Sequence, residues 1–377
     1  MSASGRRIGE RTGSESTFTL RMTQIMKGVS IIIMVIHHTI PNNPGLPVGW
    51  TRGEIPLFIG TAAKVCVCLF TILSGYGIAV SWKNREDHRG FTRRHIVKLW
   101  FSFVFIFVFA ALWKGVQGTY PPAVYGSGAM GFLYFLKDLF GLQNLVVQTP
   151  SMMGVWWYME TIFICYILFP LFYKIIHAGK KPAFALLFVL YIPWIVYFVK
   201  QGWGWHTDRE LFYLFSFALG IFCAEFGLFD RAVRFAKERR LPMIGITALL
   251  MIVMALIRSR LCLIWDPFWA LTVIMFCLCT AAAIPVLSNL LAELGAVSSD
   301  MYMFHPLVIG ALRAFSFTRL SFRIAVTVLL CWGIALGLAK FRGLIRYDRF
   351  SARAAEAAAG IAVSRVKTLP ERGSEDT

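Results

Sequence analysis

The chain has 377 residues, of which 57% are hydrophobic and 15% are charged, and its formal net charge is +18 at neutral pH. In a soluble protein, such a charge would suggest a nucleic-acid partner. Apolar runs of about 18 or more residues recur along this chain, however, as is typical of membrane-spanning helices. The composition therefore predicts a polytopic membrane protein with no nucleic-acid partner.

About ten membrane-spanning helices are predicted, and they would form an all-α helical bundle. With the amino terminus in the cytoplasm, about 26 of the 38 basic residues fall in inner segments, as the positive-inside rule requires. Both termini are then cytoplasmic. The predicted spans lie near 22–41, 57–80, 96–116, 155–176, 183–200, 210–228, 241–258, 265–287, 301–317 and 322–341.

One transmembrane domain, residues 22–349, is predicted between a cytoplasmic amino-terminal segment, 1–21, and a cytoplasmic tail, 350–377. The polar start lacks the apolar core and cleavage site of a signal peptide. Segment 117–153 contains an aromatic run too short to cross a bilayer, so we predict an outer loop with a re-entrant or interfacial helix. The eight cysteines have no metal-like spacing, and neither a metal nor a tightly bound cofactor is predicted.

The first predicted span contains three residues that are costly in a bilayer: Lys27, His37 and His38. A charged group near the centre of a bilayer costs roughly 2.5 kcal/mol or more. Lys27 and His38 are eleven positions apart, which is three helical turns plus about 20°, so they share a face about 16 Å apart. His37 points about 100° away from His38, which argues against a metal site formed by this pair.

Each of these residues has an alternative explanation that involves no catalysis. Lys27 near a cytoplasmic boundary could extend to the lipid headgroups. A histidine deep in a span could bond a neighbouring carbonyl and do nothing else. An imidazole is also well suited to catalysis, because at neutral pH it accepts a proton without first carrying a charge into the membrane.

A second polar stripe is formed by Ser298, Tyr302 and His305, which recur at helical spacing. Pro306 has no amide hydrogen, so the carbonyl of Tyr302 loses its usual partner. This stripe is predicted to face inward, either as a cavity wall or as a kink packed with hydrogen-bonded side chains.

Glu160 lies one turn beyond Trp156 and places a carboxylate on the same side of the fourth span as the indole. A carboxylate inside a membrane usually faces a partner or a cavity. Glu160 is therefore predicted to orient an imidazole or to contact a sugar hydroxyl, and a structural ion pair with Lys64 is the alternative.

Four segments resemble the membrane-bound acyltransferase 3 family. "MKGVSIIIMVIHHTI" matches the family's basic residue, ten intervening positions and histidine, here Lys27 and His38, although the family more often has arginine first. "VCVCLFTILSGYGIAV" carries the family's Ser-Gly signature at Ser74. "VWWYMETIFICYILFP" resembles its Trp-aromatic span, and "LGAVSSDMYMFHPLV" its late Gly, Ser, Tyr, His segment. In "FTRRHIVKLW", Arg94 and Lys98 are the nearest matches to the family's basic pair.

This resemblance implies transfer of an acyl group, usually acetyl, from acyl-coenzyme A (acyl-CoA) to a hydroxyl of a carbohydrate or lipid-linked glycan. His38 would be the general base or the acyl carrier. The implied catalytic residues are His38, Lys27 and Glu160. The implied substrate-binding residues are Arg94, Lys98, Ser74, Trp156, Ser298, Tyr302 and His305.

The resemblance also implies a location in the bacterial inner membrane. The partners it implies are acyl-CoA as co-substrate, the glycan acceptor and the lipid bilayer, with a homo-oligomer left open. The main alternative is a transporter or flippase for a polysaccharide or lipid-linked intermediate, in which the same ionisable residues would line a pathway. A non-catalytic membrane scaffold is a weaker alternative, because it gives no reason for buried ionisable groups.

Overall fold

The computed structural model describes residues 18–40, 55–144, 148–200, 210–260, 263–280, 284–315 and 319–360. Most of the predicted terminal segments, residues 1–17 and 361–377, lie outside these ranges. The described residues form helices and turns and contain no β-strand. The predicted all-α class is confirmed.

Sixteen α-helices and three short 3-10 turns make up the described part of the chain. The 3-10 turns are Gly154–Trp156, Glu210–Phe212 and Leu263–Trp265. The helices are α1 Leu20–Thr39, α2 Ile55–Ala62, α3 Val65–Lys83, α4 Phe91–Val116, α5 Pro121–Tyr125, α6 Gly128–Leu139, α7 Trp157–His177, α8 Lys180–Lys200, α9 Tyr213–Glu225, α10 Leu228–Glu238, α11 Arg240–Arg260, α12 Asp266–Thr280, α13 Pro285–Ala296, α14 Ser298–Leu312, α15 Leu320–Leu344 and α16 Tyr347–Ala358.

Among the described residues, eight helices are long and apolar enough to cross a membrane, or up to nine if α9 and α10 form one bent span. The sequence predicted about ten. The predicted span 265–287 is interrupted, because Ile284 is not in helical conformation and a separate helix begins at Pro285. The predicted span 301–317 is the 15-residue helix α14, which is shorter than a usual crossing. A hydropathy window averages over such breaks and does not detect them.

Close approach at glycines joins the central helices in two pairs. A Cβ on Gly75 of α3 would overlap the backbone of Phe217 in α9, and one on Gly220 of α9 would overlap that of Ile72 in α3. The same holds between α1 and α13, where Gly28 abuts Leu291. Small residues let helix backbones approach closely. In a membrane, this close packing stabilises helix association, because the hydrophobic effect does not favour it there. These contacts set the position of α1, which carries Lys27, His37 and His38.

The predicted outer segment contains two short helices, α5 and α6, organised around one buried carboxylate. Asp138 accepts hydrogen bonds from the Tyr125 hydroxyl (2.5 Å), the Gln143 amide (2.6 Å), the Met152 amide (2.7 Å) and the Ser151 hydroxyl (3.1 Å). Burial raises the pKa of Asp138, and these bonds to the ionised form partly oppose that rise. Asp138 thereby fixes residues 151–152 just before the turn that begins α7.

The end of the described chain folds back on the bundle. Arg342 of α15 makes a bidentate ion pair with Asp300 of α14, with N–O distances of 2.6 and 2.7 Å. Arg346 adopts a left-handed conformation (φ 57°), and α16 then packs along α4, where the Tyr347 hydroxyl donates to the Phe101 carbonyl. The sequence analysis assigned no helix to this stretch.

Candidate active site

A cavity of about 160 Å³ lies between helices α1, α3, α4, α7 and α14, and we call it the lysine cavity. It brings together four residues singled out from the sequence: Lys27, Ser74, Ser298 and Tyr302. Its full lining combines one cation with three serine and three tyrosine side chains. The lining residues are Lys27, Phe70, Ser74, Leu99, Tyr158, Met159, Ile162, Tyr166, Ser298, Ser299, Tyr302 and Met303.

A smaller cavity, of about 30 Å³, adjoins it around His38, and we call it the histidine cavity. Both cavities are bounded by Phe70, Tyr158 and Tyr302, so these three rings form the partition between them. Lys27 and His38 therefore lie along one side of α1, which is the geometry that a spacing of eleven residues produces. The histidine cavity is lined by Met34, His38, Cys66, Val67, Phe70, Val155, Trp157, Tyr158 and Tyr302.

The two tyrosines of the partition are held by hydrogen bonds. The Tyr158 hydroxyl lies 3.2 Å from the hydroxyl of Thr71 on α3, and the Tyr302 hydroxyl donates to the Val155 carbonyl. Their rings meet edge to face, with centroids 5.5 Å apart. The sequence analysis missed Tyr158. It recurs with Ile162 and Tyr166 at four-residue spacing on α7, a signal that marks one helix face.

Three imidazoles cluster at the end of α1. The His38 ring lies 4.7 Å from that of His37 and 4.8 Å from that of His305, measured between centroids. His37 Nδ1 lies 2.6 Å from the Gly60 carbonyl, so this ring bonds the short helix α2. His38 is exposed, whereas His305 is fully buried in α14. Because His37 is half-buried, His38 is the most accessible of the three imidazoles.

The proline after His305 explains how that ring is held. Pro306 lies inside α14 and has no amide hydrogen, so it cannot bond the carbonyl of Tyr302. That carbonyl instead lies 2.7 Å from Nδ1 of His305. The freed carbonyl expected from the sequence is therefore used by the imidazole three residues later. No described atom is in hydrogen-bonding position to Nε2 of His305, which is buried.

Charged residues that the sequence analysis did not single out lie beside this cluster. Arg258 of α11 and Asp266 of α12 form an ion pair with an N–O distance of 2.6 Å, and both side chains are almost fully buried. Arg258 and Lys64 lie close enough to His37 to interact with it electrostatically. In the sequence, an arginine and an aspartate flank a short break between two apolar runs. Because charged residues inside membrane spans are usually paired, this pattern could have predicted the ion pair.

Trp156 and Glu160 support the site from outside the two cavities. The Trp156 indole is fully buried against Phe103 and donates to the Met303 carbonyl at 2.8 Å. Glu160 is also buried, and its carboxylate accepts a hydrogen bond of 2.7 Å from the backbone amide of Asn144. These contacts tie α7 to α14 and to the loop after α6.

Arg94 and Lys98 lie in the first two turns of α4 and line neither cavity. Arg94 is half-buried and Lys98 is exposed. The residue after Lys98, Leu99, does line the lysine cavity. Arg94 precedes Leu99 by five positions, about 7.5 Å along the helix axis. The two cations are thus placed beyond the lysine cavity, towards the end of the bundle where α1 and α4 begin.

The site combines an accessible imidazole, a lysine and several hydroxyl groups in adjoining cavities. An imidazole acts as a base or a nucleophile, while a cation and hydroxyl groups stabilise a developing oxyanion. Within the described residues, no group of three or more His, Cys, Asp or Glu side chains has the geometry to hold a metal ion. The chemistry best matched by this set is transfer of an acyl group.

Comparison with curated proteins and with solved structures gave no match to this chain. A family model described as an acyltransferase domain, that of the acyltransferase 3 family, matches residues 24–342. The match covers α1 through most of α15 and includes every residue of both cavities. Together with its long apolar helices, this match shows that the chain belongs to the acyltransferase 3 family and is an integral membrane acyltransferase.

Proposed function

We propose that the chain transfers an acyl group from acyl-CoA to a hydroxyl of a glycan or lipid-linked sugar, with His38 as general base or acyl carrier. The observation that carries this proposal is the pair of adjoining cavities, one containing Lys27 and the other His38. A donor held by Lys27 and an acceptor at His38 would meet at the partition between them.

In the direct route, the acceptor oxygen bonds to the thioester carbonyl carbon while its proton passes to His38. The C–S bond then breaks, and the departing thiolate takes that proton. In the second route, a His38 ring nitrogen bonds to the thioester carbonyl carbon and the C–S bond breaks, which releases the coenzyme A thiolate. The acceptor oxygen then bonds to the acyl carbon, the acyl–His38 bond breaks, and the hydroxyl proton passes through His38 to the thiolate. Lys27, Ser74 and Ser298 would stabilise negative charge on the donor or on the tetrahedral intermediate.

The donor is proposed to enter from the cytoplasmic side. The basic residues at the start of α4 lie on the side that the charge distribution assigns to the cytoplasm, where coenzyme A is made. Arg94 and Lys98 are about 7.5 Å or less from the level of Leu99 along α4, and clustered cations raise the local concentration of an anionic ligand. The proposed path runs from these cations through the lysine cavity to His38.

The size of the histidine cavity supports acetyl as the acyl group. A volume of about 30 Å³ has room for about two water-sized groups, given about 15 Å³ for each. That room suits a small acyl group such as acetyl better than a longer one. The proposal also includes a bacterial inner-membrane location. It places one domain at 22–349 between cytoplasmic terminal segments, 1–21 and 350–377, and leaves a homo-oligomer open.

The test uses purified full-length protein in lipid nanodiscs, radiolabelled acetyl-CoA and the glycan fraction of the source membranes. Label should move to glycan with the parent protein. His38→Ala should lower kcat by about 100- to 10,000-fold, the range that general acid–base catalysis contributes. His37→Ala is the matched control, since its ring bonds α2, and it should keep most of the activity.

Two results would contradict the proposal. Near-parental transfer by His38→Ala would remove His38 from the mechanism. Movement of unmodified glycan across the nanodisc or a vesicle membrane, without transfer of label, would instead support the transporter alternative.

A further inference from the structure

We infer that His305 is a positioning residue for His38: its buried Nε2 accepts a hydrogen bond from the His38 ring while His38 carries the proton of the reaction. This inference rests on the proposed function, in which His38 is the reacting imidazole. His305 lines neither cavity, so the role inferred here differs from the substrate-binding role that the family resemblance implies: His305 touches neither substrate and acts only through His38.

The tautomer of His305 follows from the hydrogen bond at Nδ1. Nδ1 lies 2.7 Å from the Tyr302 carbonyl, and a carbonyl only accepts, so Nδ1 carries the hydrogen. In a neutral imidazole the other nitrogen then has a lone pair and accepts. Pro306 maintains this arrangement, because a residue with an amide hydrogen would compete for the same carbonyl.

Nε2 of His305 is therefore a buried acceptor that lacks a described partner. A buried polar atom without a hydrogen bond is costly, so a donor that reaches Nε2 of His305 would be bound favourably. The adjacent donor is His38, whose ring centroid is 4.8 Å away at an interplanar angle of 40°. At this separation, a rotation of the exposed His38 side chain brings a ring N–H to Nε2.

The need for an acceptor arises when His38 is protonated. Both nitrogens of an imidazolium donate, and only one of them faces the substrate. Among the described residues, the groups with the largest electrostatic effect on His38 are His305, His37 and Lys64, none of which is an anion. A neutral acceptor at Nε2 of His305 would stabilise the imidazolium without placing a carboxylate in the bilayer, where a charge is costly.

In this acyl-transfer step, the protonation state of His305 does not change. The acceptor hydroxyl loses its proton to the His38 nitrogen that faces the substrate, as the oxygen bonds to the thioester carbon. The other His38 N–H donates to Nε2 of His305 throughout. When the C–S bond breaks, the same proton passes from His38 to the thiolate, and His305 neither gains nor loses a proton.

A matched pair of amide variants tests this role, using the nanodisc assay with labelled acetyl-CoA and the membrane glycan fraction. His305→Gln places an oxygen near the position of Nε2, whereas His305→Asn reaches only the position of Nδ1. We expect kcat within about tenfold of the parent for the glutamine variant and about tenfold lower again for the asparagine variant. A hydrogen bond to a charged group accounts for a difference of this order.

The KM for acetyl-CoA should stay within about twofold of the parent in both variants, because His305 does not touch the donor. A third variant, His305→Phe, keeps a ring of similar shape, lacks both nitrogens and should match the asparagine variant. Equal kcat for the glutamine and asparagine variants would overturn the inference, as would a loss expressed in KM alone.

The His38 and His305 variants together distinguish a failure of this inference from a failure of the proposed function. If His38→Ala keeps parental transfer, the proposed function itself fails. If His38→Ala is inactive and His305→Asn has the parental kcat, only the positioning role of His305 is refuted.

Discussion

Replacing Phe70 by alanine should widen the choice of acyl group. Phe70 belongs to the partition that the two cavities share, together with Tyr158 and Tyr302. Unlike the tyrosines, it has no hydroxyl to hold the neighbouring loop or α3. Its removal would join the histidine cavity of about 30 Å³ to the lysine cavity of about 160 Å³ while keeping both hydrogen-bonded tyrosines in place.

The expected preference for acetyl over butyryl follows from the volume of the histidine cavity. That cavity has room for about two water-sized groups, so the two extra methylenes of butyryl would need space beyond it. One methylene too many or too few in an apolar pocket changes specificity by about 1–3 kcal/mol, or 10- to 200-fold. The parent should therefore prefer acetyl over butyryl by at least about 100-fold in kcat/KM, and Phe70→Ala should reduce that ratio to about tenfold or less.

The assay compares acetyl-, propionyl- and butyryl-CoA with the same glycan fraction and follows release of the coenzyme A thiol. Phe188→Ala is a suitable control, because Phe188 is a 63% exposed phenylalanine on α8. A parent protein that uses butyryl-CoA as well as acetyl-CoA would refute the argument from volume. An unchanged acetyl-to-butyryl ratio in Phe70→Ala would show that the partition does not limit the acyl group.

Three further predictions concern the donor path and the packing of α1. Lys27→Arg should keep the affinity for acetyl-CoA and Lys27→Met should weaken it, as measured by isothermal titration; equal affinity would mean that Lys27 only reaches the headgroups. Neutralising Arg94 and Lys98 together should raise the KM for acetyl-CoA, with a smaller effect at high salt because screening already weakens the attraction, and a salt-independent effect would contradict steering. Gly28→Ala should destabilise the bundle by about 1–3 kcal/mol, seen as a lower apparent Tm in detergent, because its Cβ would overlap the Leu291 backbone. Gly337→Ala, with no atom near the new Cβ, should leave Tm unchanged or raised.

The sequence alone determined the fold class and the family. Hydropathy depends on local composition, so the all-α membrane bundle could be predicted with no knowledge of how the helices pack. Helical spacing likewise placed Lys27 and His38 on one side of α1, because 3.6 residues per turn is a property of the backbone. Pro306 is a local effect too, since a missing amide hydrogen frees a carbonyl wherever the helix lies.

The number of spans was less predictable. The break between α12 and α13 and the bend of 67° between α9 and α10 lie within apolar stretches that a hydropathy window reads as continuous. Gly227 between those two helices has φ 61°, a conformation that only the surrounding packing selects. For the same reason, the sequence analysis assigned no helix to α16, whose position depends on contacts with α4.

Only the tertiary structure decided which polar residues share a cavity. His38 and His305 are far apart in the chain, and their ring contact depends on how α1 packs against α14. Trp156 and Glu160 line neither cavity, and packing brings the Met303 carbonyl and the Asn144 backbone amide against them. Their predicted roles in binding and catalysis stay predictions. Nothing in the local sequence singles out Asp138. It organises the predicted outer segment because four hydrogen-bond donors from several parts of the chain contact its carboxylate. Contacts between residues distant in sequence cannot be predicted from the local sequence.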